Sequence, residues 1–411
     1  MDFITGLYLA YSFLAFYFLF LFVLIYTTNR KEMTFIPKPA RDYEVSCVIP
    51  CYNEEKNIGR TIESVVKNGY KNLKKIIVVD DCSTDGSFSV MKEYEKKYPG
   101  LVLAVKTPKN TGNAAGAKNY GSRFVKTELI MFTDADSFPE RGAIGKMIGF
   151  FDDKKVGAVT ASVLVKNRNN LLLRLQSIEY TVIKFTRKLL EFIDSIYVTP
   201  GPLAMYRMKY FVKIGRFDEK NMTEDIEITW RMLDAGYDVR MSLSSRVYSI
   251  APEKMKLWFK QRIRWNVGGL QSIFKHKKRF LRKGMFGSFV LPFFVMSWLL
   301  GIFGLGFFLY RGARWILMSY ISASYSIKAN TAVLSMKDLS LNPNILFFLG
   351  IILFTLSLAF TLVSLFHDKE KNFKNPGVFD IIMYTIFYLL AYPIILVISA
   401  YKMTKKNVGW A

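Results

Sequence analysis

The sequence predicts an α/β domain on a mostly parallel, Rossmann-like sheet, joined to transmembrane α-helices through amphipathic interface helices. Three observations carry this prediction. Between residues 44 and 160, short apolar runs ending in acids alternate with helix-like stretches, and such alternation implies a parallel sheet with right-handed crossovers. Uncharged stretches long enough to span a bilayer lie at both ends of the chain. Between domain and C-terminal third runs a basic segment studded with aromatic residues.

The chain has 411 residues, 51% of them apolar and 16% aromatic, too hydrophobic for an ordinary soluble protein. Residues 3–26 carry no charge, and about 20 such residues cross a bilayer as a helix. A cleaved signal peptide is the rival reading. Its n-region would hold Asp2 and no Lys or Arg, and the apolar run exceeds an h-region. Residues 1–33 are therefore expected to form a retained span. Asn29-Arg30-Lys31 behind it places residues 34 onward in the cytoplasm by the positive-inside rule.

Residues 34–253 hold the α/β pattern. Val45 to Ile49 reads as a buried strand, and Asn53 as the cap of a helix whose first turn holds Glu54 and Glu55. Lys75 to Val79 is a second strand ending in Asp80-Asp81, after which Asp85 opens a helix. Leu101 to Val105 is a third strand, Gly112 to Val125 a helix, and Leu129 to Phe132 a fourth strand leading to Asp134-Ala135-Asp136. Ligands of such sheets bind beyond the carboxyl ends of the strands, where both acidic pairs stand. Surface turns would explain one pair; two pairs at two strand ends point to a site. No G-x-G-x-x-G run marks a dinucleotide cofactor.

Residues 170–193 alternate Leu, Ile and Phe with Arg174, Lys184, Arg187 and Lys188. This pattern suits a helix on the membrane surface or one packed on the sheet. The net charge of +24 raises nucleic acid as a partner. Its placement argues otherwise. Residues 254–283 hold eleven Lys or Arg and no acid, interleaved with Trp258, Phe259, Ile263, Trp265 and Phe274. Residues 254–285 therefore read as interface helices on anionic membrane lipid, and no nucleic-acid-binding signature accompanies the charge. Cys47, Cys51 and Cys82, without a partnering His, cannot fill a structural zinc site. In residues 286–411, spans are expected over 286–309, 345–366 and 379–401. Residues 313–330 are ambiguous between a fifth span, a re-entrant piece and an interfacial helix; four spans are favoured.

With these residues in view, the chain resembles family 2 glycosyltransferases, in the membrane-embedded branch with cellulose, chitin and hyaluronan synthases and ceramide glucosyltransferase. The resemblance rests on Val48 to Glu55, Val79 to Gly86, Asn110-Thr111-Gly112, Asp134-Ala135-Asp136, Gly201 to Arg207, Gly215 to Glu219, Thr223-Glu224-Asp225 and Gln261-Arg262-Ile263-Arg264-Trp265, all in order over residues 45 to about 283. It implies a GT-A fold, a nucleotide-sugar donor, a divalent cation (Mg2+ or Mn2+) and inversion at the anomeric carbon.

Carried onto this sequence, the resemblance puts Tyr52, Glu54 and Asp81 at the base and ribose, with Asp80 nearby, and Asp134 and Asp136 at the metal and diphosphate. Chemistry agrees, since Mg2+ or Mn2+ is held by one or two carboxylates plus phosphate oxygens. Arg262 and Arg264 would add hydrogen bonds to the same oxygens. Asp225 would be the general base for an acceptor hydroxyl; its duller role is to cap the helix from Ile226 to Leu233. Trp265 would form a stacking floor for an acceptor sugar rather than a membrane anchor. Glu224 would stand beside it, and Gly201 to Arg207 would form an acceptor wall. Asn113 departs from the Lys found there in many polymerising members, and Lys118 would supply the charge.

The expected activity is transfer of a sugar, from a UDP-linked donor, to a lipid or lipid-linked glycan at the cytoplasmic face of the cell membrane. A processive synthase that threads its polymer across the membrane is the alternative, and an inactive scaffold a third. Spans nearly free of ionisable residues speak against a polar transport path.

Overall fold

A computed structural model describes residues 3–282, 284–328, 345–367 and 376–405. An eight-stranded sheet in the order β3-β2-β1-β4-β7-β6-β8-β5 forms its centre. The strands are β1 (Val45–Cys51), β2 (Leu73–Asp80), β3 (Val102–Lys106), β4 (Leu129–Phe132), β5 (Ser137–Pro139), β6 (Val156–Val165), β7 (Ala204–Arg207) and β8 (Asp238–Ser249). Strands β1 to β4 pair in parallel, as do β6 and β8. The sheet is mostly parallel, as the alternation implies, but β7 runs antiparallel between β4 and β6, and β5 antiparallel to β8.

Helix α1 (Phe3–Asn29) precedes the sheet. Helices α2 (Glu55–Val66), α3 (Ser87–Lys97), α4 (Ala114–Ser122), α5 (Gly145–Ile148), α6 (Leu171–Glu191), α7 (Met208–Lys213) and α8 (Glu224–Asp234) are interspersed with the strands. After the sheet come α9 (Met255–His276), α10 (Leu291–Lys328), α11 (Ile345–His367) and α12 (Val378–Thr404).

Successive strand residues point to opposite faces, and the two cores show it. Val45, Cys47, Ile49, Ile76, Val78 and Met131 bury against α2 and α3 on one side. Val48, Ile77, Val79, Ile130 and Phe132 bury on the other, with Phe185 of α6 and Ile228 of α8. Every residue of β1 is buried, which is why the run reads as continuously apolar rather than alternating.

Register brings the strand ends level. Cys51 lies opposite Asp80 and Val48 opposite Phe132, so the loops carrying Asp81 and Asp134 leave one edge together. Asn53 does not cap α2. It takes a left-handed backbone, φ 54°, and its side chain accepts from Thr84 N (2.8 Å), tying the two loops. The carboxylate of Asp85 instead accepts from Glu55 N (3.1 Å), at the orphan amides that begin a helix. Asn113 and Asn170 are true caps, accepting from Gly116 N and Leu173 N (2.9 Å each).

Helix α6 packs on the sheet against β6 and β8, and also against α11 and α12. The basic segment departs from expectation. Trp258 and Ile263 do not face lipid but bury with Tyr388 and Ile395 of α12, because α9 packs along that helix; Leu257 and Phe274 stay exposed. Among the described residues four helices are long and apolar enough to cross a membrane, three of them C-terminal. The stretch from Ala313 to Ile327 is no separate element. It continues α10, and residues 329 and 330 lie outside the described ones.

Candidate active site

The carboxyl edges of β1, β2 and β4 open into a cleft of about 970 Å³. Its lining includes Tyr52, Glu54 and Asp81, the group Lys118, Asp134 and Asp136, and Gly201, Glu224, Asp225, Arg264 and Trp265. Acids separated by ninety positions thus share one cavity.

Lys118 of α4 links them. Its buried ammonium donates to Glu224 (2.9 Å) and pairs with Asp134 (3.3 Å), so one cation ties the first acidic motif to the second. A buried charge needs such partners. Gly201 packs against the same carboxylate: a Cβ built there would stand 2.6 Å from Asp134 Oδ2. A side chain there would have to displace that carboxylate. Gly268 of α9 packs in the same way on Thr223, bringing the helix that carries Arg264 and Trp265 against the start of α8. Arg264 donates to Met222 O (3.2 Å). Trp265 lies beneath the guanidinium of Arg262, 4.0 Å from its ring centre.

Three expected site residues stand elsewhere. Arg207 is buried at the far end of the sheet, donating to Glu128 (2.9 Å) and Phe151 O (2.6 Å). It lies there because β7 runs antiparallel to β4, with Arg207 opposite Leu129; each strand residue carries it about 3.3 Å further from the cleft. Arg262 is buried behind the cleft wall and pairs with Glu179, since it faces α6 while Arg264, two residues on, faces the cavity. Asp80 is buried behind the loop, accepting from Ser83 N (3.1 Å) and pairing with Lys106 (3.4 Å). Asp81 does line the cleft, with its carboxylate engaged by Thr107 Oγ1 (2.9 Å) and by Thr111 N and Oγ1 (3.0 and 2.8 Å).

Residues 46–215 match the model of the family described as Glycosyl transferase family 2. Residues 46–215 are thus a glycosyl transferase family 2 domain. It is 28% identical over 393 residues to Bacillus subtilis YdaM, described as a probable glycosyltransferase, covering 93% of this chain and 87% of that one. It is 27% identical over 251 residues to the poly-beta-1,6-N-acetyl-D-glucosamine synthase of Staphylococcus aureus, covering 61% of this chain and 60% of the synthase. Among solved structures, a mannosyltransferase of Pyrobaculum calidifontis in complex with GDP-Man and Mn2+ aligns over 97% of this chain and 99% of its own. The TM-score is 0.60 at 18% identity, a likeness of fold. With four membrane-length helices, this glycosyltransferase stands in the membrane-embedded branch, and its sheet is a GT-A sheet.

Electrostatics in the transferase cleft are uneven. Burial, then the neighbouring charge of Glu224, raises Asp225 to about 6, against the pull of Lys118 and Arg264. Burial also opposes ionisation of Glu224, yet Lys118 and Arg264 hold it below the usual carboxylate range. Adjacent carboxylates are thus pushed apart, a pattern that separates acid and base roles. Asp136 rises to about 7 through burial and the charges of Asp134 and Glu54.

The expected residues do not complete the lining. Lys184 and Arg187 of α6, Phe293, Phe294 and Trp298 of α10, and Tyr392 of α12 carry the cleft into the apolar helices. The sequence pattern of α6 signalled its basic residues but not that Lys184 and Arg187 are buried.

Proposed function

We propose that this glycosyltransferase moves a sugar from a nucleotide-sugar donor, UDP-linked, to a lipid or lipid-linked glycan acceptor at the cytoplasmic face of the membrane. The observation that carries the reading is the continuity of one cleft from the acids at the sheet edge to Phe293, Phe294 and Trp298 of the membrane-length helix α10. A soluble donor would enter beside the acids of the sheet edge, and a membrane-borne acceptor past the aromatic residues of α10.

Tyr52, Glu54 and Asp81 line the donor end, where the base and ribose would lie. The pair Asp134 and Asp136 suits a divalent cation: Asp136 is partly buried, with raised proton affinity and like charges around it, an arrangement that a cation relieves. Asp134 and Asp136 would hold Mg2+ or Mn2+ together with donor phosphates. When bound, the cation would neutralise charge on the departing diphosphate. Lys118 and Arg264 add fixed positive charge beside the same acids.

Asp225 accepts the proton of the acceptor hydroxyl as that oxygen attacks the anomeric carbon. Its first hydrogen bond, from Ile226 N (3.0 Å), leaves acceptor capacity facing the cleft. One displacement from the face opposite the leaving group inverts the configuration. Trp265 forms the apolar floor on which an acceptor sugar stacks.

A second reading, processive synthesis of a polysaccharide, is favoured by the similarity to the Staphylococcus aureus synthase. Incubating the purified full chain in lipid with a panel of labelled nucleotide sugars tests both. Donor-dependent release of nucleoside diphosphate with one sugar added to extractable lipid supports the first reading. A ladder of long chains supports the second. No release with any donor overturns both.

A further inference from the structure

Arg187 takes no part in the reaction above. Its side chain lines the cleft and is 4% exposed, yet its Nε meets no hydrogen-bond partner among the described residues. The other deeply buried arginines described above are compensated: Arg262 by Glu179 and Arg207 by Glu128. A guanidinium does not escape burial by losing its proton, and an uncompensated buried charge is costly. Burial weighs against its charged form, and the hydroxyl of Tyr197 and the charge of Asp225 weigh for it.

Position narrows the missing anion. Arg187 is close enough to Asp225 to feel its charge, and Tyr197 beside it meets Phe294 of α10 edge to face at 4.9 Å. It therefore stands where the acidic part of the cleft gives way to the aromatic wall of α10. Lys184, one turn earlier on α6, lines the same cavity and adds positive potential. The acids Asp134 and Asp136, where a donor diphosphate would sit, follow β4 at the sheet edge, and Arg187 feels the charge of Asp225 but not of either.

We propose that Arg187 binds the phosphate of a lipid headgroup that enters the cleft past Phe293 and Phe294, so that the acceptor is an anionic lipid. The planar fork of arginine matches phosphate oxygens in paired hydrogen bonds. Bound there, the headgroup sets its neighbouring hydroxyl beside Asp225. The inference deepens the lipid-acceptor reading and rests on it.

Calorimetric titration of the full chain in detergent with dioctanoyl phosphatidic acid, dioctanoylglycerol and UDP with Mn2+ tests it. The wild type should bind the phosphatidic acid at least about tenfold more tightly than the neutral glyceride. Arg187→Ala should lose about that factor for the phosphatidic acid alone, Arg187→Lys should recover part of it, and UDP binding should be unchanged in both. Equal affinity of the wild type for the two lipids overturns the proposal, and needs no variant to fold. So does Arg187→Ala binding phosphatidic acid as the wild type does. An equal fall in UDP affinity overturns it too, by assigning Arg187 to the donor. Absence of sugar transfer with every donor would sink the proposed function instead, and leaves this binding result standing.

Discussion

Arg262 of α9 and Glu179 of α6 form a buried ion pair, with Arg262 Nε donating to Glu179 Oε1 at 2.8 Å. Tyr388 and Tyr392 of α12 donate their hydroxyls to the same carboxylate (2.7 and 2.9 Å). Arg262 also covers the ring of Trp265. The membrane-length helix α12, the sheet-packed helix α6 and Trp265 are thereby held at one point.

Removing one member should be costly. Glu179→Ala leaves a buried guanidinium without its anion, and about 3–5 kcal/mol of stability should be lost. Chemical denaturation of the detergent-solubilised chain measures this. A double change to Glu179→Leu and Arg262→Met should recover most of the loss, since apolar replacement of the whole pair is often neutral. A loss equal to the sum of the two single changes would refute the pairing.

Asp225→Asn keeps the shape of the side chain and removes its basicity. Transfer should fall by about 10²–10⁴-fold, the range supplied by a positioned base, with UDP affinity within about twofold. Turnover at the wild-type rate would remove Asp225 from the role of base.

The rate should depend on pH through the same group. Asp225 is raised to about 6, and only its ionised form accepts a proton. Activity therefore rises as pH climbs through about 6 and levels off above it. A profile flat from pH 5 to 8, measured at saturating donor, contradicts the assignment.

Gly201→Ala tests the packing against Asp134. A methyl group there meets both carboxylate oxygens (2.6 and 2.7 Å) and must displace them. Affinity for Mn2+ in the presence of UDP should weaken by about tenfold, on the scale by which disturbing ligand positions costs metal sites, while the unfolding midpoint shifts little. Unchanged Mn2+ affinity would show that Asp134 does not hold the cation.

The four parallel strands, the acids at their ends and the four apolar helices were legible because each is a local pattern: an apolar run, a turn acid, an uncharged stretch. The directions of individual side chains were not. Arg207 closes the motif beginning at Gly201, and only the antiparallel setting of β7 reveals that it is carried away from the cleft. Arg262 and Arg264 look equivalent in sequence; helical rotation sends one to Glu179 and the other to the cavity. Arg187 is buried on a helix that packs against β6 and β8 and against α11 and α12, more than a hundred residues later. Trp258 among lysines resembles a lipid anchor until α12 covers it.

Helix α10 has 38 residues, and at 1.5 Å per residue it is a rod of about 57 Å. A bilayer's hydrocarbon slab is only about 30 Å thick. Leu291 to Tyr310 already spans that depth, and Arg311 and Arg314 follow, cations suited to the headgroup layer. The remainder, as far as Lys328, is length beyond what an upright crossing uses. Trp315, Tyr320 and Tyr325 on it are open to their surroundings.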